Sequence, residues 1–142
     1  MRIWVEQLSK AQWAPLSENA HKVAFAEIKP LALERIDFAL VIRNEEGLMG
    51  YATCREHDAE TLYWAYGGAF PGTKSSSLTF SGYQAVVEFS KKKYKRVATL
   101  IENTNTVMLK FAMKVGFRIV GIRCVFGHIY LEHILEFGDV LR

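Results

Sequence analysis

Cysteine is scarce in this chain. Only Cys54 and Cys124 occur among 142 residues, and neither sits in a CxxC or Cys…His spacing. That leaves a disulfide framework and a thiolate metal site without ligands. Both fall in strand-like runs, which predicts reduced, buried thiols in a reducing compartment. Long apolar runs are missing too: none approaches the roughly 18 residues of a membrane span. The opening Met-Arg-Ile-Trp-Val-Glu-Gln-Leu carries charges where a signal peptide needs an apolar stretch. The expectation is a cytoplasmic protein with no membrane partner. No low-complexity tract, repeat or linker is present, and residues are 50% hydrophobic and 23% charged, which argues against disorder and for one domain over 1–142.

Charge of one sign is also in short supply. The net charge is +3, and much of it can come from Lys91-Lys92-Lys93-Tyr94-Lys95-Arg96. We read that run as a solvated last helical turn, where cations suit the negative end of the helix dipole. With no recognition motif and no second basic face, a nucleic-acid partner is not expected. The histidines form no metal site. His128 and His133 fall on opposite faces of one strand, and His57 lies in an acidic turn. His128 lies between the last strands.

What is present is regular alternation of elements. Residues 2–8 suggest a strand. Ser17 is a plausible N-cap for helical sequence over 18–36, interrupted at Pro30. Runs 38–43 and 48–55 flank Asn44-Glu45-Glu46-Gly47 and predict a hairpin. A third strand follows over 61–70, then a helix over 73–93 with Phe80, Tyr83, Val87 and Tyr94 at helical spacing. A strand over 97–101, a helix over 106–115, and strands over 117–126 and 129–137 around Gly127-His128 complete the order. A helix between 61–70 and 97–101 implies a parallel pair; the rest reads as antiparallel. The fold class is a mixed α/β (α+β) sheet flanked by helices.

Two segments bear on chemistry. Met108, Phe111, Ala112 and Val115 make a buried helical stripe. Asn105 stands where that helix starts, as an N-cap, and Gly116 where it ends, as a C′ residue. Gly72-Thr73-Lys74-Ser75-Ser76-Ser77 opens the preceding helix. It can serve as a Ser-rich cap or as an anion site, with N–H donors, a positive dipole end and one lysine.

Taken together, Asn105, Met108, Lys114, Gly116, Phe117 and Gly121 have the spacing of a known pattern. Between two strands, that pattern resembles the Gcn5-related N-acetyltransferase (GNAT) family over about 61–121, and the rest agrees in element order. The resemblance implies an acyl-CoA N-acyltransferase fold in which strands 61–70 and 97–101 splay. Acetyl-CoA would lie in the gap as co-substrate, with no metal. Backbone groups at Tyr66, Gly67 and Gly68 would bind the pantetheine from one side and Asn105 from the other. Gly72, Thr73, Lys74, Ser75 and Ser76 would receive the phosphates, although this loop lacks the family's later glycines. Where many relatives keep a tyrosine acid, this chain has Ala112, as does the branch that acetylates ribosomal-protein N-termini. No carboxylate lies within 61–70, so Glu102, ending the strand across the gap, is either the candidate catalytic base or a solvated turn residue. Tyr63, Trp64 and Tyr66 either line the pocket or belong to the core.

The resemblance implies transfer of an acetyl group to a primary amine, a small molecule or a peptide. A non-catalytic acyl-CoA-binding or protein-interaction domain on the same fold is the alternative. The C-terminal strands could pair in a homodimer.

Overall fold

The computed structural model describes residues 2–25, 36–69 and 76–137. The elements are β1 (Trp4–Ser9), α1 (Lys10–Phe25), β2 (Phe38–Asn44), β3 (Gly47–Asp58), β4 (Thr61–Ala69), α2 (Ser76–Lys91), β5 (Arg96–Glu102), α3 (Thr106–Val115), β6 (Arg118–Val125) and β7 (His128–Glu136). The strands form a sheet in the order β1-β2-β3-β4-β5-β7-β6. The chain divides into two compact units, Met1–Arg55 with Ala65–Phe89, and Glu56–Trp64 with Ser90–Arg142. Among the described residues no helix is long and apolar enough to cross a membrane.

In the first unit, α1 begins earlier than the sequence predicts. Ser9 Oγ accepts from the Gln12 N–H at 3.1 Å, and Gln12 Oε1 accepts from the Ser9 N–H at 2.8 Å. This reciprocal box satisfies two orphan donors, one more than a lone Ser17 hydroxyl offers. Ser17 is therefore not a cap. It lies within α1, buried, and its hydroxyl donates to the Ala14 carbonyl at 2.8 Å. The break expected at Pro30 falls outside the described residues.

Trp13, one turn before Ser17, is wholly buried with Ile36, Ala39, Val41 and Tyr51, and Leu8, Leu48 and Ala65 pack around them. The Trp13 and Tyr51 rings lie 5.0 Å apart at a 36° tilt. Tight packing recurs on α2, where a Cβ at Gly82 would stand 3.3 Å from Ile42 Cγ2. That helix lies close to β2 because residue 82 has no side chain. Among the described residues its buried apolar side chains are Tyr83, Val86 and Val87, the second of which the predicted spacing omits. The β2–β3 hairpin turns at Glu45-Glu46, with Asn44 Oδ1 accepting from the Glu46 N–H at 2.8 Å. Cys54, on β3, is fully buried as expected, and burial pushes its thiol well above the ordinary range.

In the second unit, β4 and β5 are parallel from Thr61↔Arg96 to Trp64↔Thr99. On its other side β5 runs antiparallel to β7 along its whole length, from Arg96↔Glu136 to Glu102↔Tyr130. The basic run divides. Lys91, Lys92 and Lys93 are exposed at the end of α2, whereas Lys95 pairs with Glu60 at 2.8 Å and Arg96 reaches Glu60 and Glu136.

Strand β6 closes one edge of the sheet, and nearly all of it is exposed. Cys124 is exposed with it, contrary to the expectation of two buried thiols. Strand character alone does not bury a residue; an edge strand left uncovered exposes both of its faces. The register shifts between Ile119 and Gly121. The hairpin to β7 turns at Phe126 (φ 49°) and Gly127 (φ 81°), one residue before the turn predicted at Gly127-His128. Two positive φ values suit a two-residue turn between twisted strands.

Because Trp13 fills the centre of the first unit's core, Trp13→Ala should destabilise the protein by about 3–5 kcal/mol. Urea denaturation of the variant and wild type measures this.

Candidate functional site

The start of α3 is built by a short turn. β5 ends at Glu102, and the Asn105 N–H donates to the Glu102 carbonyl at 2.9 Å. Asn105 then caps the helix: its Oδ1 accepts from the Met108 N–H at 3.3 Å. Because the cap needs an acceptor, it fixes which way the amide points. The oxygen faces the helix, and among the described residues the amide nitrogen makes no hydrogen bond. Asn105 is exposed, so its two amide hydrogens are open to a ligand.

The other end of α3 is set by Gly116, whose φ of 98° and ψ of 17° are left-handed. Its N–H donates to the carbonyls of Ala112 and Met113, and the Phe117 N–H donates to the Ala112 carbonyl at 2.9 Å. These bonds satisfy carbonyls that a helix end leaves open. Phe117 is buried against Trp64, ring centres 5.8 Å apart, and against the edge of His133 at 6.2 Å. Glycine turns the chain and phenylalanine anchors it to the sheet. Of the predicted stripe, Phe111 and Ala112 are buried, while Met108 and Val115 are half-buried. Trp64 is a core residue, 4% exposed, and among the described residues its indole N–H has no partner.

Glu102 is not a lone turn carboxylate. Its Oε2 lies 2.7 Å from His128 Nδ1. The pairing follows from register. Glu102 stands opposite Tyr130, and His128, two residues away on β7, shares that face. The Asn103 N–H donates to the Ile129 carbonyl at 2.9 Å, tying the turn after β5 to the hairpin strand. His133, on the other face, is 2% exposed, so the two histidines are separated as expected.

The remaining expected residues are placed as follows. Tyr66, Gly67 and Gly68 lie on β4, and Ser76 is the first residue of α2, three later than the predicted start. Gly72, Thr73, Lys74 and Ser75 lie outside the described residues. The second unit thus brings Glu102 and Asn105 together on one turn and adds His128, whose contact with Glu102 sequence reasoning missed. The available signal was a glycine-containing hairpin whose far strand starts with histidine.

Neither a protein-family profile nor a curated protein matches the sequence. Solved structures do match its fold. The ribosomal-protein-S18-alanine N-acetyltransferase of Escherichia coli superposes with a TM-score of 0.77 at 11% identity, covering 99% of each chain. A GNAT family acetyltransferase from Elizabethkingia anophelis, with acetyl-CoA bound, gives a TM-score of 0.74 at 18% identity over 95% of this chain and 98% of that one. An IAA acetyltransferase from Bacillus cereus gives 0.74 at 14% identity over 96% and 100%. The chain therefore has the GNAT acyl-CoA N-acyltransferase fold, and the fold expected from its sequence is the one observed.

The left-handed φ at Gly116 makes a direct prediction. A Cβ there would meet Leu135 Cδ1 only at an ordinary 3.8 Å, so crowding is not the obstacle. Gly116→Ala should still cost about 1 kcal/mol or more, because the backbone conformation disfavours any side chain. Chemical denaturation of the variant measures it.

Proposed function

We propose that this chain is an acetyl-CoA-dependent N-acetyltransferase that acts as one domain and transfers an acetyl group to a primary amine of a small molecule or peptide. The observation that carries the reading is Asn105. In a fold shared with a structure that holds acetyl-CoA, it starts α3 with its oxygen spent on the helix and its amide hydrogens free. The pantetheine arm carries amide carbonyls, which those hydrogens suit. Tyr66, Gly67 and Gly68 supply backbone groups to the same arm. Gly72, Thr73, Lys74, Ser75 and Ser76 receive the phosphates, and Glu102 serves the removal of the amine's proton.

Little else is required of the protein. The amine must be neutral, held against the thioester carbonyl, and the developing oxyanion stabilised. Ala112 offers no acid to the leaving thiolate and is itself buried. Thiolate is a fair leaving group near neutral pH, since an unperturbed thiol titrates near about 8.5. A peptide acceptor is supported by the fold's likeness to the S18-alanine N-acetyltransferase.

Asn105→Asp separates ligand binding from capping. Aspartate caps a helix as well as asparagine does, but it has no amide hydrogens. Thermal stability should stay near wild type while acetyl-CoA affinity, read by calorimetry, falls by about 0.5–1.5 kcal/mol for one lost hydrogen bond. A folded wild type that binds no acetyl-CoA would sink the proposal. Stoichiometric binding without free-thiol release on any amine tested would favour the non-catalytic acyl-CoA-binding reading.

A further inference from the structure

The contact between Glu102 and His128 bears on the one chemical step that the fold leaves open. A carboxylate can only accept a hydrogen bond, so in the 2.7 Å contact Nδ1 carries the proton and donates to Glu102 Oε2. In the neutral ring the lone pair then lies on Nε2. Among the described residues Nε2 makes no hydrogen bond, and the His128 side chain is 59% exposed. The ring is held by its carboxylate, the tilted ring of Tyr130 lies 6.4 Å away, and the backbone of the next residue, Ile129, is fixed by the Asn103 N–H. Other charges on this face are engaged: Arg123, opposite Tyr130, pairs with Glu132 at 3.1 Å. Along the chain, the turn that begins at Glu102 ends at Asn105, the residue assigned above to the pantetheine.

We propose that His128 is the base that takes the proton of the acceptor amine, and that Glu102 is its positioning residue rather than the base itself. This rests on the acetyltransferase reading and sharpens it. Glu102 with a neutral imidazole carries one negative charge, so the pair suits an acceptor that arrives as an ammonium ion. The ammonium gives one proton to Nε2, and the resulting amine attacks the thioester carbonyl. The new N–C bond forms and the C–S bond breaks, and the sulfur leaves with the electron pair as thiolate. The second proton of the attacking nitrogen ends on that sulfur, giving free CoA thiol, and the imidazolium returns the first proton to water.

The test assays wild type, His128→Ala, His128→Gln and Glu102→Gln with acetyl-CoA and three amines: spermidine, kanamycin and a hexapeptide with a free N-terminal alanine. Free-thiol release gives turnover, and calorimetry gives acetyl-CoA binding for each variant. His128 is exposed, so both substitutions should leave the fold intact. Both should lower kcat by about 10²–10⁴-fold, the usual worth of a positioned proton acceptor, without changing acetyl-CoA affinity. Added imidazole should restore part of the His128→Ala turnover and leave wild type unaffected, which a merely structural role would not produce. Glu102→Gln should lower kcat by less, because the ring keeps its own proton acceptor. A His128→Ala enzyme as fast as an active wild type overturns this assignment alone. A wild type that binds acetyl-CoA yet acetylates none of the probes overturns the acetyltransferase reading and the assignment with it.

Discussion

One hydroxyl marks the point on which the second unit is organised. Thr99 Oγ1 donates to the Trp64 carbonyl at 3.0 Å, at the last pair of the parallel ladder between β4 and β5. A backbone carbonyl at the end of a ladder would otherwise need the next strand N–H or water. The threonine supplies the donor from a side chain, so pairing stops there without an orphaned buried group. Among the described residues β5 goes on to Glu102 paired with β7, and those last residues carry the chain to the turn where α3 begins. Parallel pairing that ended later would commit the end of β5 to two neighbours.

The helix that follows depends on two caps doing different work. At its start a side-chain oxygen accepts a backbone N–H; at its end a left-handed glycine turns two N–H groups back onto its carbonyls. Neither device needs a ligand. Both are what an isolated helix would use for its own stability. What sets Asn105 apart is chemical economy: the cap consumes the half of the amide that accepts and leaves the half that donates. A serine would cap comparably but would offer one hydrogen in place of two.

Features set by near neighbours in the chain were legible in the sequence. The bounds of α3 follow from Asn105, Gly116 and an apolar stripe between them, and the parallel pair follows from a helix lying between two strands. Features set by position in the sheet were not. Cys54 and Cys124 both read as strand residues, but one strand is covered and the other closes an edge, which nothing adjacent to Cys124 announces. The contact between Glu102 and His128 was hidden for a related reason. It rests on the pairing of β5 with β7, two strands separated in the chain by α3 and β6, which sets Glu102 opposite Tyr130 and so two residues from His128. At α1 the Ser9-to-Gln12 box is local and readable, and it starts the helix at Lys10 rather than after Ser17.

The contrast between the two thiols has a practical side. Cys54 is enclosed, and burial disfavours its thiolate, the form that reacts. Cys124 stands open on β6 directly opposite Ile129, the neighbour of His128. The native chain thus carries its own address for a single maleimide-linked fluorophore or spin label, with no engineered cysteine and no competing site to remove. Such a reporter would sit one ladder position from the hairpin turn and register what approaches it in solution.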